Sequence, residues 1–275
     1  MKKIALTLVS ILLALMLVFG CMIVLAFYGN PISYLLAKNT AEKYVSENYA
    51  DTDFVVESVS YGFKDGNYYA FITSPSSIDT HFTLYIRYDG VFLYDCYEDH
   101  VVSGHNTAQR INNAYRKAVD GLLESDTFPY ECYIAYGDIQ FGSSIEVGHV
   151  PTPTIPYEEL QLDHDYDYND FAARAGRIVI YLNSEDVTAE HLAEILIETR
   201  KAFDEAGISF SLIDFVLQSS TVLDSNGVDY LRIEVMDFKY EDIYSDGMVD
   251  RVIESNNYAN SYYDAMDAEK FGEIQ

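Results

Sequence analysis

The chain has 275 residues, of which 49% are hydrophobic and only 6 are prolines, and this composition excludes a disordered protein because disorder requires low hydrophobicity. Its 44 acidic and 17 basic residues give a net charge of −27, which repels nucleic acid and attracts cationic peptides or divalent ions. The 25 tyrosines are expected mainly on strands, where aromatic side chains are favoured.

A long apolar run follows Lys2 and Lys3 and extends from Ile4 to Phe27. As a helix it would span roughly 36 Å, enough to cross a hydrocarbon core of about 30 Å. The two lysines precede the run and every acidic residue follows it. The positive-inside bias therefore predicts a cytoplasmic N terminus, a transmembrane anchor within residues 1–28 and an extracytoplasmic remainder.

Two other interpretations of this segment stay open. A lipoprotein would be cleaved and lipidated at Cys21, although Phe19 is bulky for such a site. A secretory signal would be cleaved, but its apolar region is normally about 7–15 residues and ends in a small-residue site. We favour the retained anchor, and all three interpretations place the folded remainder outside the cytoplasm.

The first domain is predicted over residues 29–126. Asn30 and Pro31 suit the N-cap and first position of a helix, whose apolar stripe is predicted from Ile32, Leu35, Leu36, Ala41, Tyr44 and Val45. Four strands follow, with tight turns at residues 65–67 and 89–90. In the third strand one face carries Phe82, Leu84, Ile86 and Tyr88, and the other carries His81, Thr83, Tyr85 and Arg87. A second helix is predicted from Asn106 as N-cap.

The second domain is predicted over residues 127–265. A strand at 132–141 precedes a long unpatterned loop at 142–175, which is unusual unless it binds a partner or moves. A strand at 177–182 and a helix at 188–206 follow, then strands at 208–217 and 228–238, and a helix at 246–265. The turn between the last strands is placed at 224–227, and Leu231, Ile233 and Val235 are predicted to face inward. Residues 266–275 are predicted as a frayed tail.

Periodicity thus predicts an α+β protein in which an N-terminal transmembrane helix precedes two small domains, each an antiparallel sheet packed by helices. The segment from Gly29 to Tyr44 and the turn from Lys64 to Tyr69 resemble the YfjL-like proteins of Gram-positive bacteria. The resemblance is good over roughly residues 1–100, and it implies a membrane span and a cystatin-like or PepSY-like first domain. It implies no catalytic residue, because the matched helix consists of caps and an apolar stripe.

An acidic cluster at residues 163–170 offers oxygen ligands at alternate positions, namely Asp163, Asp165, Asp167 and Asn169. An EF-hand loop requires Gly at its sixth position and Glu at its twelfth. Tyr168 and Arg174 stand at those positions, so the EF-hand interpretation fails. An irregular cation site remains a hypothesis beside the simpler interpretation, a solvated acidic loop.

Cys96 and Cys132 could pair as a disulfide outside the cytoplasm, where such bonds persist. Together with His100 and His105 they could also supply metal ligands, but their spacing matches no recurrent zinc pattern. His191 and Glu194 are interpreted as surface residues of a helix. We therefore expect no resident metal and no cofactor.

The sequence contains no nucleophile elbow and no phosphate-binding glycine loop. The prediction is a membrane-anchored extracytoplasmic module that binds or regulates without catalysis. Its first sheet or the 142–175 loop would contact a protein or cationic peptide near the membrane. The alternative is a cell-surface hydrolase with its site between the two domains.

Overall fold

The computed structural model describes residues 2–142, 146–147, 150–219 and 231–272. The chain forms two compact units, Met1–Thr107 with Gln161–His164, and Ala108–Leu160 with Asp165–Gln275. Each unit contains a sheet packed by helices, so the predicted α+β class is confirmed.

Helix α1 (Lys2–Tyr28) contains the apolar run, and in the part of the chain that the structure describes it provides the one segment long and apolar enough to cross a membrane. Helix α2 (Pro31–Asn48) begins where predicted. The side chain of Asn30 caps it by accepting a hydrogen bond of 2.8 Å from the backbone N–H of Ile32. Only residues 29 and 30 separate the two helices.

The predicted apolar stripe of α2 is wrong in its first half. Ala37, Ala41 and Val45 are buried, whereas Ile32, Leu35 and Leu36 are 68, 57 and 43% exposed. At about 3.6 residues per turn, positions 32 and 41 lie on opposite sides of a helix and cannot share one face. The first two turns of α2 therefore present large apolar side chains outside the core.

The first sheet is an antiparallel meander of β1 (Val55–Tyr61), β2 (Tyr68–Ser74), β3 (Ser77–Ile86) and β4 (Phe92–Asp95), in that order. Phe82, Leu84 and Ile86 are fully buried beneath α2, as predicted for one face of β3. Tyr88 was predicted on the same face, but β3 ends at Ile86 and Tyr88 is exposed in the following turn.

A π-helical turn (Glu98–Val102) leads to helix α3 (His105–Leu123). The prediction that Asn106 is the N-cap is wrong, since the helix already includes it. Its buried side-chain amide donates hydrogen bonds of 2.8 and 2.6 Å to the carbonyl oxygens of Asp79 and His81. The Asn106 amide therefore binds the first half of β3 to α3 and does not cap the helix.

From Ala108 onward α3 belongs to the second compact unit. Its buried residues Ile111, Tyr115 and Val119 pack in the core of that unit. The apolar stripe of α3 thus packs in the second core, and the domain boundary near residue 127 stays a prediction.

The second sheet has the order β10 (Arg232–Lys239), β9 (Leu212–Ser219), β8 (Gly176–Ser184) and β5 (Ile134–Ile139). Its outer pairs are antiparallel, and the central β8–β9 pair is parallel. A parallel pair needs a crossover connection, which helix α5 (Ala189–Ala206) provides between its N-cap Thr188 and its C-cap Gly207. Helix α6 (Met248–Gly272) packs against β10.

The interval 142–175 is more structured than predicted. It contains the short strands β6 (Glu146–Val147) and β7 (Val150–Pro151), a 3-10 turn (Tyr157–Glu159) and helix α4 (Tyr168–Ala175). Ile155 and Phe171 are buried in the second core. The helical periodicity of this interval was weak in the sequence because α4 has only 8 residues.

Three further predictions concern the end of the chain. Val235 is buried and Ile233 half-buried, but Leu231 is 64% exposed, because it precedes β10. The hairpin turn at 224–227 lies outside the described residues. Helix α6 continues past residue 265, so the described part of the predicted tail, up to Gly272, is helical.

Candidate functional site

Three tyrosines form a row across the outer face of the first sheet, opposite α2. Tyr69 on β2 lies directly beside Tyr85 on β3, and Tyr85 lies beside Tyr94 on β4. The Tyr69 and Tyr85 rings meet edge to face with centroids 5.0 Å apart, and the Tyr85 and Tyr94 rings stack at 4.3 Å. We call these residues the tyrosine row. It is a continuous line of aromatic rings with polar hydroxyl groups, and Tyr94 is 51% exposed.

A carboxylate fixes one end of the tyrosine row. The Tyr69 hydroxyl donates a 2.5 Å hydrogen bond to Oδ2 of Asp65 in the β1–β2 turn. This bond raises the pKa of Tyr69 to about 12 and lowers the pKa of Asp65. Near neutral pH the phenol is therefore neutral and the carboxylate charged. The row thus combines aromatic faces with a fixed negative charge.

Toward the other end of the sheet the outer face becomes more polar and more covered. His81 lies 5.7 Å from Phe71, ring to ring, and His100 lies 5.7 Å from His105. Burial, followed by the charge of His100, lowers the pKa of His81. Burial and His105 likewise lower the pKa of His100. The imidazoles of His81 and His100 thus resist protonation.

Asp79 lies two residues before His81 on the same face of β3, and its side chain is almost fully buried. Oδ2 of Asp79 accepts hydrogen bonds of 2.9 Å from the Thr107 hydroxyl and 3.0 Å from the Asp163 backbone N–H. In return, Oδ1 of Asp163 accepts bonds from the Asp79 backbone N–H and the Ser77 hydroxyl. This network attaches residues 161–164 to the first unit.

The four proposed cation ligands have separate structural roles or none. Asp163 binds β3, the Asp167 carboxylate caps α4 through the Asn169 backbone N–H, and the Asn169 side chain accepts from the Ser209 backbone N–H. Asp165 is exposed. Among the described residues no group of three or more His, Cys, Asp or Glu side chains converges as a metal site would require. The irregular cation site stays a hypothesis.

The candidate cysteines are both free thiols, buried at Cys96 and half-buried at Cys132. They belong to different compact units, Cys96 to the first and Cys132 to the second. The disulfide stays a prediction. Of the four residues weighed as zinc ligands, the structure brings His100 and His105 together.

Cys132 and His191 line a surface cavity of ≈ 480 Å³ in the second unit, together with Tyr130 and Tyr133. A cysteine and a histidine in one cavity raise the question of nucleophilic catalysis. Burial, however, raises the pKa of the Cys132 thiol to about 11. A catalytic cysteine needs the opposite shift, because the thiolate is the nucleophile. The chemistry of Cys132 does not support a hydrolase.

A charged group on the second sheet was missed by the sequence analysis. The guanidinium of Arg177 on β8 binds Asp214 on β9 at 2.5 Å and also binds Asp237 on β10. The Asp237 backbone N–H donates a 2.7 Å bond to Asp214. The available signal was the presence of lone charged residues within apolar strands. Each carboxylate is paired with Arg177, so the group is suited to joining strands and not to proton transfer.

Family models match both units of the chain. The YfjL-like N-terminal domain matches residues 1–99, and the YfjL-like C-terminal domain matches residues 114–254. The chain belongs to the YfjL-like family. This confirms the resemblance seen in the first 100 residues and extends it over the second unit. No curated protein and no solved structure matches this YfjL-like chain. The matched family models name domains and no activity, so function has to be argued from the surface of the molecule.

Proposed function

We propose that this YfjL-like protein is a membrane-anchored binding module whose tyrosine row receives a basic protein or peptide segment. The observation that carries the proposal is the tyrosine row, half-buried at Tyr69 and Tyr85 and exposed at Tyr94, beside the charged Asp65 carboxylate. Aromatic faces attract guanidinium and ammonium groups. The net charge of −27 draws cationic partners toward the chain, and the tyrosine row supplies the contact.

The chemistry of the row favours binding over catalysis. Tyr69 remains a neutral phenol near neutral pH, because its pKa is raised. Tyrosine offers a rigid, amphipathic contact area and is enriched at protein interfaces. The proposed partner therefore presents arginine or lysine side chains that lie on the rings, with at least one of them near Asp65.

The anchor carries the second part of the proposal. The apolar α1 supports single-pass attachment, and the two lysines at its start support an N terminus in the cytoplasm and both units outside. A reporter fused to Gln275 in intact cells would be accessible to an impermeant label. A shielded reporter would contradict this orientation.

Binding is tested with the full chain in nanodiscs and two labelled decapeptides, one alternating arginine and serine, the other glutamate and serine. At physiological salt we expect binding of the arginine peptide only. Tyr85→Ala with Tyr94→Ala should weaken it about tenfold, since exposed cation–π contacts contribute about 0.5–1 kcal/mol each. Tyr133→Ala, on an equally exposed tyrosine of the second unit, is the control.

Two results would contradict the proposal. Arginine-peptide binding that both tyrosine substitutions leave unchanged would show attraction to the net charge alone. Equal binding of the glutamate peptide would remove charge complementarity as the reason for recognition.

A further inference from the structure

Several large apolar side chains of the first unit are exposed without a partner in its core. On α2 they are Ile32, Leu35 and Leu36, in the β1–β2 turn Phe63, and in the β3–β4 turn Tyr88 and Val91. Phe63 and Tyr88 are 57 and 61% exposed. A single exposed apolar residue needs no explanation, but a cluster marks an interaction surface.

The topology brings these residues to one end of the unit. In a four-stranded meander the first and third turns lie at the same end of the sheet, and the second turn lies at the other. Thr40 on α2 donates a 2.6 Å hydrogen bond to the carbonyl oxygen of Gly90, which fixes α2 against the β3–β4 turn. A Cβ at Gly90 would lie 3.0 Å from Cβ of Leu36. We call the end formed by the six side chains the apolar end.

The last turn of α1 adjoins the apolar end. The Phe27 ring lies 5.7 Å from the Phe63 ring. The Asn30 backbone N–H donates a 3.0 Å bond to the Tyr68 hydroxyl, which in turn donates to the Asn30 carbonyl oxygen at 3.0 Å. The apolar end is therefore continuous with the segment that is proposed to cross the membrane.

The charges at this end are balanced, in contrast to the rest of the chain. The two turns carry Lys64 and Arg87 against Asp65 and Asp89, and Arg87 pairs with Asp89 at 2.6 Å. A surface of this kind is suited to a zwitterionic interface, where aromatic rings occupy the headgroup level.

We infer that the apolar end rests on the bilayer itself, with Phe63, Tyr88 and Leu35 inserted at the lipid headgroup level. The inference rests on the proposed anchoring by α1 and specifies how the first unit sits on the membrane. Phe63 lies beside Phe27, at the end of the apolar run, which is the depth expected for an interfacial aromatic. The exposed first turns of α2 are then covered by lipid.

The chain has no tryptophan, so a single introduced tryptophan reports its own surroundings. The full chain is reconstituted in phosphatidylcholine vesicles with and without brominated acyl chains, which quench on contact. Test variants are Phe63→Trp, Tyr88→Trp and Leu35→Trp. Phe19→Trp within α1 reports anchoring. Ile78→Trp is the matched control, because Ile78 is 65% exposed near the opposite end of β3, about 30 Å away.

We expect strong quenching at positions 63, 88, 35 and 19 and little at position 78. Quenching at 19 with no excess at 63, 88 and 35 over 78 would overturn the inference and leave the anchor intact. Equal quenching at all positions would overturn the end-on arrangement. No quenching at 19 would overturn the anchor, and the inference with it.

Discussion

Asp79 and Asp163 bind each other's backbone: each carboxylate accepts a 3.0 Å hydrogen bond from the backbone N–H of the other residue. Asp163 adopts φ 59°, a left-handed conformation that Asp tolerates better than most residues. The pair holds a segment distant in sequence against the first sheet.

The Asp163→Ala substitution should destabilise the first unit by about 1–2 kcal/mol, because it removes the carboxylate that accepts two hydrogen bonds, from Ser77 and Asp79. Urea unfolding followed by circular dichroism measures the change. Asp163→Asn retains an acceptor oxygen and should cost less. Asp165→Ala, at an exposed carboxylate, should stay within about 0.5 kcal/mol. A larger loss at Asp165, or a melting temperature raised by calcium, would favour the cation-site hypothesis instead.

Acidification should weaken the first unit before its carboxylates protonate. The pKa values of His81 and His100 are lowered in the fold, so the unfolded chain binds more protons as the pH falls below about 6.5. The contribution of these two histidines to the stability of the fold is fully present above about pH 6.5 and is lost as the pH falls through their lower pKa values in the folded chain. His105 also lowers the pKa of both histidines, whereas the Asp79 carboxylate raises that of His81 and the Asp99 carboxylate raises that of His100.

The melting temperature between pH 7.5 and 5.5 tests this effect. His81→Gln with His100→Gln should flatten the pH dependence, whereas His191→Gln in the second unit should leave it unchanged. A double variant with the same slope as the unaltered chain would show that other groups cause the acid sensitivity.

Cys132 should react slowly with iodoacetamide. A pKa of about 11 leaves roughly a hundredfold less thiolate at pH 8 than the ordinary value does in the unfolded chain. The rate is measured by mass spectrometry on a Cys21→Ser, Cys96→Ser variant, folded and in urea. Faster reaction in the folded protein would indicate an activated cysteine and revive the hydrolase alternative.

Arg177→Met should destabilise the second unit by about 2–4 kcal/mol, because Asp214 and Asp237 would be left close together in a partly buried site. Arg174→Met is the matched control. Its ion pair with Glu159 is exposed on both sides, so its loss should cost at most about 1 kcal/mol. Equal costs for the two substitutions would contradict the role given to the buried group.

Local patterns predicted the fold where one residue type determines the local structure. Asn30 with Pro31 begins α2, Thr188 and Gly207 bound α5, and alternation identified the buried face of β3. Local patterns failed where contacts with distant segments determine the role of a side chain. The side chain of Asn106 suits an N-cap, but the carbonyl oxygens of β3 bind it instead.

The candidate surface was only partly predictable. Alternation placed Tyr85 on the outer face of β3, yet its neighbours Tyr69 and Tyr94 depend on the register of two other strands. The exposure of Ile32 follows from helical periodicity, because positions 32 and 41 lie on opposite sides of a helix and Ala41 is buried. Neither Asp79 with Asp163 nor Arg177 with Asp214 follows from spacing, since both pairs join distant segments.

If the proposed anchoring and binding hold, the joint between α1 and α2 limits which partners can compete for the tyrosine row. A Cβ at Gly29 would lie 2.5 Å from the Tyr68 hydroxyl and 2.8 Å from Tyr61, so the joint is tightly packed as well as short. With α1 in a bilayer, such a joint keeps the aromatic stack at a constant height and prevents free swivelling. Ligands confined to the same lipid sheet then meet it at a high effective concentration, whereas dilute soluble ones gain no such advantage.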